Sequence, residues 1–169
     1  PKTPKPQQMV GIKFKMTTRL ASTDVCIVGC GPVGMVLKAM LDKFRINSVI
    51  IERQKELQQH PKAHYLSFRS CEILKDLGLG KNLEDQLKRL DQWNHYSYTT
   101  HVLARPISLV QHLTLSDIAS FQQQFTYAFP SHYSQHRLNR DLYQALDSKE
   151  VHFGTGYESH KVESDRVTV

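Results

Sequence analysis

The chain has 169 residues, 40% of them hydrophobic and 22% charged, enough for one domain with a core and too few for two large ones. Its formal net charge of +6 sits mostly at one end, because residues 1–23 hold Lys2, Lys5, Lys13, Lys15 and Arg19 and no acid. The near-neutral remainder argues against a nucleic-acid-binding face, no apolar run is long enough for a transmembrane segment, and three cysteines without a Cys-x-x-Cys pair give no disulfide framework.

Residues 1–23 read as a basic flexible arm or a residual targeting segment. Basic, acid-free, Ser/Thr-containing segments suit mitochondrial transit. Pro4 and Pro6 and the weak amphipathic period suit equally a plain extension of a cytoplasmic protein.

The apolar run Asp24-Val25-Cys26-Ile27-Val28 predicts a strand over 24–29. A helix follows over 32–45. Its apolar stripe, Val33, Val36, Leu37, Met40, Leu41 and Phe44, is expected to pack on a sheet. Ser48-Val49-Ile50-Ile51 is the next strand, parallel to the first through a βαβ crossover. Residues 53–63, with Pro61, read as a loop. A second helix is expected over 65–77, ended by Gly78, and a short one over 81–90, where Glu84 and Lys88 form a solvated pair. Residues 93–130 are rich in aromatic and β-branched residues and read as strands and loops. A helix over 136–147 precedes a hairpin built from Val151-His152-Phe153, a turn at 163–166, and Val167-Thr168-Val169.

Between the first strand and its helix lies Gly29-Cys30-Gly31-Pro32-Val33-Gly34, and Glu52 closes the second strand. Strand, glycines, helix, strand and acid at these spacings form a dinucleotide-binding fingerprint. Gly29 permits the tight turn, Gly31 lets the backbone approach a pyrophosphate, and Gly34 lets the helix sit close to the strand. Pro32 suits a first helical position, and Val33 lies in the turn's N–H-bearing first residues. The helix N-terminus offers unpaired N–H groups to phosphate. Glu52 can accept hydrogen bonds from a ribose.

Four segments carry a wider resemblance: 24–34, Val49-Ile50-Ile51-Glu52-Arg53, the stretch 61–78, and Ser134-Gln135-His136-Arg137-Leu138. With these, the chain resembles the N-terminal part of class A FAD-dependent monooxygenases, in the phenol-hydroxylase-like branch, over 24–169. The resemblance implies an α/β, Rossmann-like FAD-binding fold: a βαβ unit with added strands. It implies that Gly29, Gly31, Pro32, Val33 and Gly34 face the FAD pyrophosphate, that Glu52 meets the adenosine ribose, and that Arg53 lies near the adenosine or phosphates. Lys62 stands where the family usually has an arginine, keeping the charge and losing the planar fork. Gln135 matches a glutamine near the ribityl chain or phosphates. The implied reaction is reduction of FAD by NAD(P)H, oxygen addition to give a flavin hydroperoxide, and hydroxylation of a small aromatic or related substrate.

Family members continue to Asp-Gly and Gly-Asp motifs and a sheet over the substrate, none of which this sequence contains. The resemblance therefore implies a partial FAD-binding domain, incomplete relative to the family, whose turnover depends on the C-terminal part. The alternative is a non-catalytic, flavoprotein-like subunit of a larger, mitochondrial assembly, with a protein partner covering the truncated edge. A Rossmann protein using NAD(P) directly would not explain segments 61–78 and 134–138.

Other constellations are less specific. His60/His64 and His132/His136 are each four apart but lack a third ligand, so no metal is expected. Ser134 lacks a Gly-x-Ser-x-Gly elbow. Phe125, Tyr127, Phe129 and Tyr133 could edge a substrate channel, but aromatics at such spacing more often fill a core. No residue stands out as a catalytic acid or base.

Overall fold

In the computed structural model, which describes residues 11–16, 19–60, 62–79, 95–111, 114–146 and 150–169, the chain separates into two units. One comprises residues 1–60 and 138–169, the other 61–137. The helix expected over 81–90, with its Glu84–Lys88 pair, lies outside the described residues.

The first unit is built on two sheets. β1 (Gly11–Met16) and β2 (Arg19–Thr23) form an antiparallel pair. Within the segment read as an arm or targeting segment, residues 11–16 and 19–23 take strand geometry, with strand hydrogen bonds satisfying their polar groups. β3 (Val25–Val28), α1 (Pro32–Lys43) and β4 (Ser48–Glu52) follow as the expected βαβ unit. β3 and β4 are parallel, with Val25 opposite Ser48 and Val28 opposite Ile51. Thr23 Oγ1 donates to the Asn47 carbonyl at 2.8 Å and pins the start of this sheet.

Further along the chain, β9 (Val151–Phe153) pairs in parallel with β4. β10 (Lys161–Val162) and β11 (Arg166–Thr168) pair antiparallel, and β11 lies parallel to β1. Among the described residues the sheet orders are β3-β4-β9 and β10-β11-β1-β2. The expected hairpin is thus two separate things. Its turn is where the sequence suggested, but it joins β10 to β11, and β9 belongs to the parallel sheet. Gly154 explains the break: at φ +70 it turns the chain away from β9.

The second unit holds β5 (Tyr65–Leu66), α2 (Phe68–Asp76), β6 (His95–Tyr98), β7 (Ser108–Gln111), α3 (Leu115–Gln124) and β8 (Ser131–His132). α4 (Gln135–Ala145) begins here and continues into the first unit. β5 pairs with β8 and β6 with β7, both antiparallel. α2 starts on Ser67, whose hydroxyl accepts the Ser70 N–H. It ends as read: Gly78 is at φ +74, and the Gly78 and Leu79 N–H groups donate to Lys75 and Leu74.

α3 was not foreseen in the 93–130 stretch. Thr114 and Asp117 form a capping box that starts it, each side chain accepting the other's backbone N–H. The Thr114 hydroxyl also donates to the Asp117 carboxylate at 2.7 Å, and this bond first, then that from the Thr114 N–H, holds the Asp117 carboxyl below its usual range. The helix changes the fate of the aromatics. Phe121 stacks on Phe68 and Phe125 tilts against Phe121, and Phe125, Tyr127 and Phe129 stay exposed. Of the four aromatics expected in a core, Tyr133 alone is buried.

The largest departure concerns the face of α1. Val33 is 81% and Phe44 70% exposed, and Leu37 and Met40 are exposed as well. Met35 and Lys38 are buried instead. Gly34 explains the rotation. A Cβ at Gly34 would lie 2.1 Å from the Gly29 carbonyl oxygen, so this face of the helix is pressed against the end of β3. Residues one and four beyond Gly34 then turn inward, whatever the wider apolar stripe suggests.

The buried Lys38 ammonium is paired with both Asp42 and Glu150. Burial pulls its pKa down, and the hydrogen bonds to the two carboxylates outweigh that and hold it above the usual lysine value. The pairing fastens α1 to the residue that leads into β9. Lys38→Met keeps the stem and removes the cation that separates two acids. Both acids are partly exposed, so urea unfolding should show a loss of about 2 kcal/mol, below that of a fully buried broken pair. Glu150→Gln should cost less, since Asp42 remains. An unchanged stability for Lys38→Met would refute the fastening role.

Candidate dinucleotide site

The first unit gathers the glycine turn and Glu52 at the ends of two parallel strands. Gly29 stands at φ +106, a conformation that a side chain would strain. Its N–H donates to the Ile51 carbonyl at 2.8 Å, which clips the turn to β4. The Cys30 N–H donates to Glu52 Oε2 at 2.8 Å, and the Gln54 N–H donates to Glu52 Oε1 at 2.8 Å. α1 then begins with Gly31 as its cap and Pro32 at the first position, with no side-chain capping bond.

What the turn can offer a ligand is set by its unengaged backbone donors. Gly29 and Cys30 are engaged, and Pro32 has no N–H. Met35 N–H bonds to the Gly31 carbonyl inside the helix. The Gly31, Val33 and Gly34 N–H groups remain, at the positive end of the helix dipole. A Cβ at Gly31 would meet nothing within 4 Å, so the space in front of that backbone is open. This is the shape an anionic pyrophosphate needs: bare backbone, free donors and room to approach them. The turn and acid thus fit the ADP portion of FAD.

Cys30 packs inside the turn. Burial, and then the neighbouring Glu52 charge, push its thiol up to about 11. Burial likewise pushes Cys26 up to about 11. Both are neutral thiols at physiological pH, so Cys30 serves as a small buried side chain and not as a nucleophile.

One contributor escaped the sequence reading. After β9, the Gly154 N–H donates to the Gln54 carbonyl at 2.8 Å and the Thr155 N–H to the Glu52 carbonyl at 2.9 Å. Gly156 lies against Arg53, its ideal Cβ position 3.6 Å from the Arg53 Cβ. The signal was present as Gly154-Thr155-Gly156 directly behind a strand. Arg53 itself is exposed beside this segment.

In the second unit, Gln135 is fastened to Ala63. Its backbone N–H donates to the Ala63 carbonyl at 2.9 Å, and its side-chain oxygen accepts the Ala63 N–H at 3.4 Å. Tyr133 N–H donates to the His64 carbonyl, extending the β5–β8 pairing. The exposed Lys62 is thereby held next to Gln135 in one small framework. The histidines regroup across these strands: His64 stacks on His132 with ring centroids 5.0 Å apart, in place of the pairs four residues apart. Among the described residues no cluster of three or more His, Cys, Asp or Glu suits a metal.

The two helix-proximal glycines should separate fold from binding. Gly34→Ala forces backbone against backbone and should lower unfolding free energy by about 3 kcal/mol or more. Gly31→Ala meets open space and should leave stability within about 0.5 kcal/mol while weakening ADP binding at least about tenfold. Thermal unfolding and ADP titration of both variants check this. Equal destabilisation by the two would contradict the packing argument.

The comparisons with known proteins agree with this geometry. The FAD binding domain family matches residues 22–169. The FAD-dependent monooxygenase apdD of Emericella nidulans is 36% identical over 83 residues, covering 49% of this chain and 13% of that protein. A 2,4-dichlorophenol 6-monooxygenase of Cupriavidus pinatubonensis is 39% identical over 57 residues, covering 34% of this chain and 10% of that protein. The chain thus spans a small part of the length of these relatives. Among solved structures, the flavin-dependent monooxygenase PieE in complex with FAD and substrate matches with a TM-score of 0.66 at 19% identity, over 85% of this chain and 25% of that one. The rebeccamycin biosynthetic enzyme RebC with reduced flavin gives 0.65 at 22%, over 86% and 27%. These likenesses show a shared α/β fold. With the family match running over residues 22–169, most of the chain, the chain belongs to the FAD binding domain family.

Proposed function

We propose that this chain is the FAD-binding part of an NAD(P)H-dependent flavin monooxygenase that hydroxylates a small aromatic or related organic substrate. The observation that carries the reading is the turn itself: three unengaged N–H groups, at Gly31, Val33 and Gly34, in front of an open approach, with Glu52 beside them. The relatives' names support the substrate class, since they include a 2,4-dichlorophenol 6-monooxygenase and a phenol 2-monooxygenase.

Each residue then has a task. Gly29 turns the chain, and Gly34 seats α1 so that its first amides point outward. Gly31, Val33 and Gly34 donate to the pyrophosphate, and Pro32 preforms the first helical residue. Glu52 accepts from the adenosine ribose. Arg53 supplies positive charge toward the phosphates. FAD, when bound, supplies the redox and oxygen-activating chemistry, with NAD(P)H as the electron source. The residues of this chain bind and orient the end of the cofactor remote from that chemistry.

Equilibrium dialysis against FAD and FMN tests the reading, because FMN lacks the ADP end. FAD should bind at least about tenfold more tightly than FMN, the difference expected when a pyrophosphate and ribose are gripped and the ring is not. Equal binding of the two, or binding of neither, would overturn it. With the C-terminal part on which turnover depends also present, NADH consumption with and without phenol tests the substrate class. Consumption that no phenol raises would then remove the aromatic substrate and leave FAD binding standing.

A further inference from the structure

The carboxylate that closes β4 is already engaged by the protein. Glu52 takes one backbone N–H on each oxygen, from Cys30 and from Gln54. The preceding residue does the same through its main chain, Ile51 accepting the Gly29 N–H at 2.8 Å. Two consecutive amides of the turn are thus tied to two consecutive residues of β4. The tie at Gly29 is backbone to backbone and survives any side-chain change. The tie at Cys30 depends on the Glu52 side chain alone.

That second tie decides how the turn faces a ligand. It fixes the peptide plane between Gly29 and Cys30, directly before Gly31, the first free donor. Without it, a Gly-rich segment has little to select one orientation, since glycine populates many. It also withdraws the Cys30 N–H from the phosphate side and leaves that side to Gly31, Val33 and Gly34. Each carboxylate oxygen has two acceptor sites, so each keeps one for a ribose hydroxyl.

We infer that Glu52 is a positioning residue for the phosphate-binding turn as well as a ribose acceptor, so that one carboxylate sets the turn and reads the sugar. This rests on the ADP-binding reading of the turn. It differs from a pure ribose contact, under which Glu52 would matter only to ligands with ribose hydroxyls. It differs also from a pure charge effect, under which removing an anion beside a pyrophosphate would strengthen binding.

Amide exchange on the ligand-free chain tests the positioning without any nucleotide. In Glu52→Ala the Cys30 amide should exchange at least about tenfold faster, the change a charge-assisted bond carries, with Gly29 unchanged. Glu52→Gln leaves one acceptor oxygen for two donors and should give an intermediate rate, which keeps the test usable if Glu52→Ala does not fold. Titrations with ADP and 2′,3′-dideoxy-ADP form the second arm. Positioning predicts that both variants weaken both ligands, the dideoxy compound at least about fivefold, with a larger loss for ADP. An unchanged Cys30 exchange rate, or a loss confined to ADP, overturns the inference. If the parent chain binds neither nucleotide, the ADP-binding reading fails, and the Cys30 exchange rate alone decides the positioning.

Discussion

A hydrogen atom where other residues carry a Cβ sets the geometry of the first unit. Gly34 sits so close to the Gly29 carbonyl that a methyl group there would overlap it. That contact fixes the rotation of α1 about its axis. The rotation carries Met35 and Lys38 inward and leaves Val33, Leu37, Met40 and Phe44 outward. The buried Lys38 then needs anions, and Asp42 and Glu150 supply them, binding α1 to the approach of β9. A packing constraint at one glycine therefore reaches the free amides of the turn in one direction and the third strand of the sheet in the other.

The glycines of the fingerprint are not interchangeable. Gly29 is required by its backbone angle, Gly34 by contact, and Gly31 by the space it leaves. The intervening residues matter through what they lack or conceal: Pro32 has no N–H, and that of Cys30 is already given to Glu52. Three donors remain, enough for a pyrophosphate and arranged on one short stretch of chain. In the second unit the framework of Ala63, Lys62 and Gln135 is assembled differently, by strand pairing of β5 with β8 and its extension through Tyr133 and Gln135.

Much of this was legible in the residues. The βαβ unit was, because its alternation of apolar runs, glycines and an acid has few structural solutions. So was the end of α2 at Gly78. The buried face of α1 was not, since periodicity marks the apolar stripe and cannot reveal a helix rotated by one close contact. α3 was missed although Thr114 and Asp117 spell a capping box, because the aromatic and β-branched residues around them favoured strands. β1 and β2 were missed for a different reason. A basic, acid-free segment looks like an arm until a strand distant in sequence, β11, pairs with it. The bond from Cys30 to Glu52 lay beyond sequence reading, since it joins residues 22 apart through geometry alone.

The amide spectrum of the chain titrated with ADP puts the turn to the test. The signals of Gly31, Val33 and Gly34 should move furthest, and that of Cys30, held by Glu52, should move least within the turn. Saturable shifts centred away from residues 29–34 and 52, or a turn that stays still while ADP binds elsewhere, would contradict the assignment of these donors to the pyrophosphate.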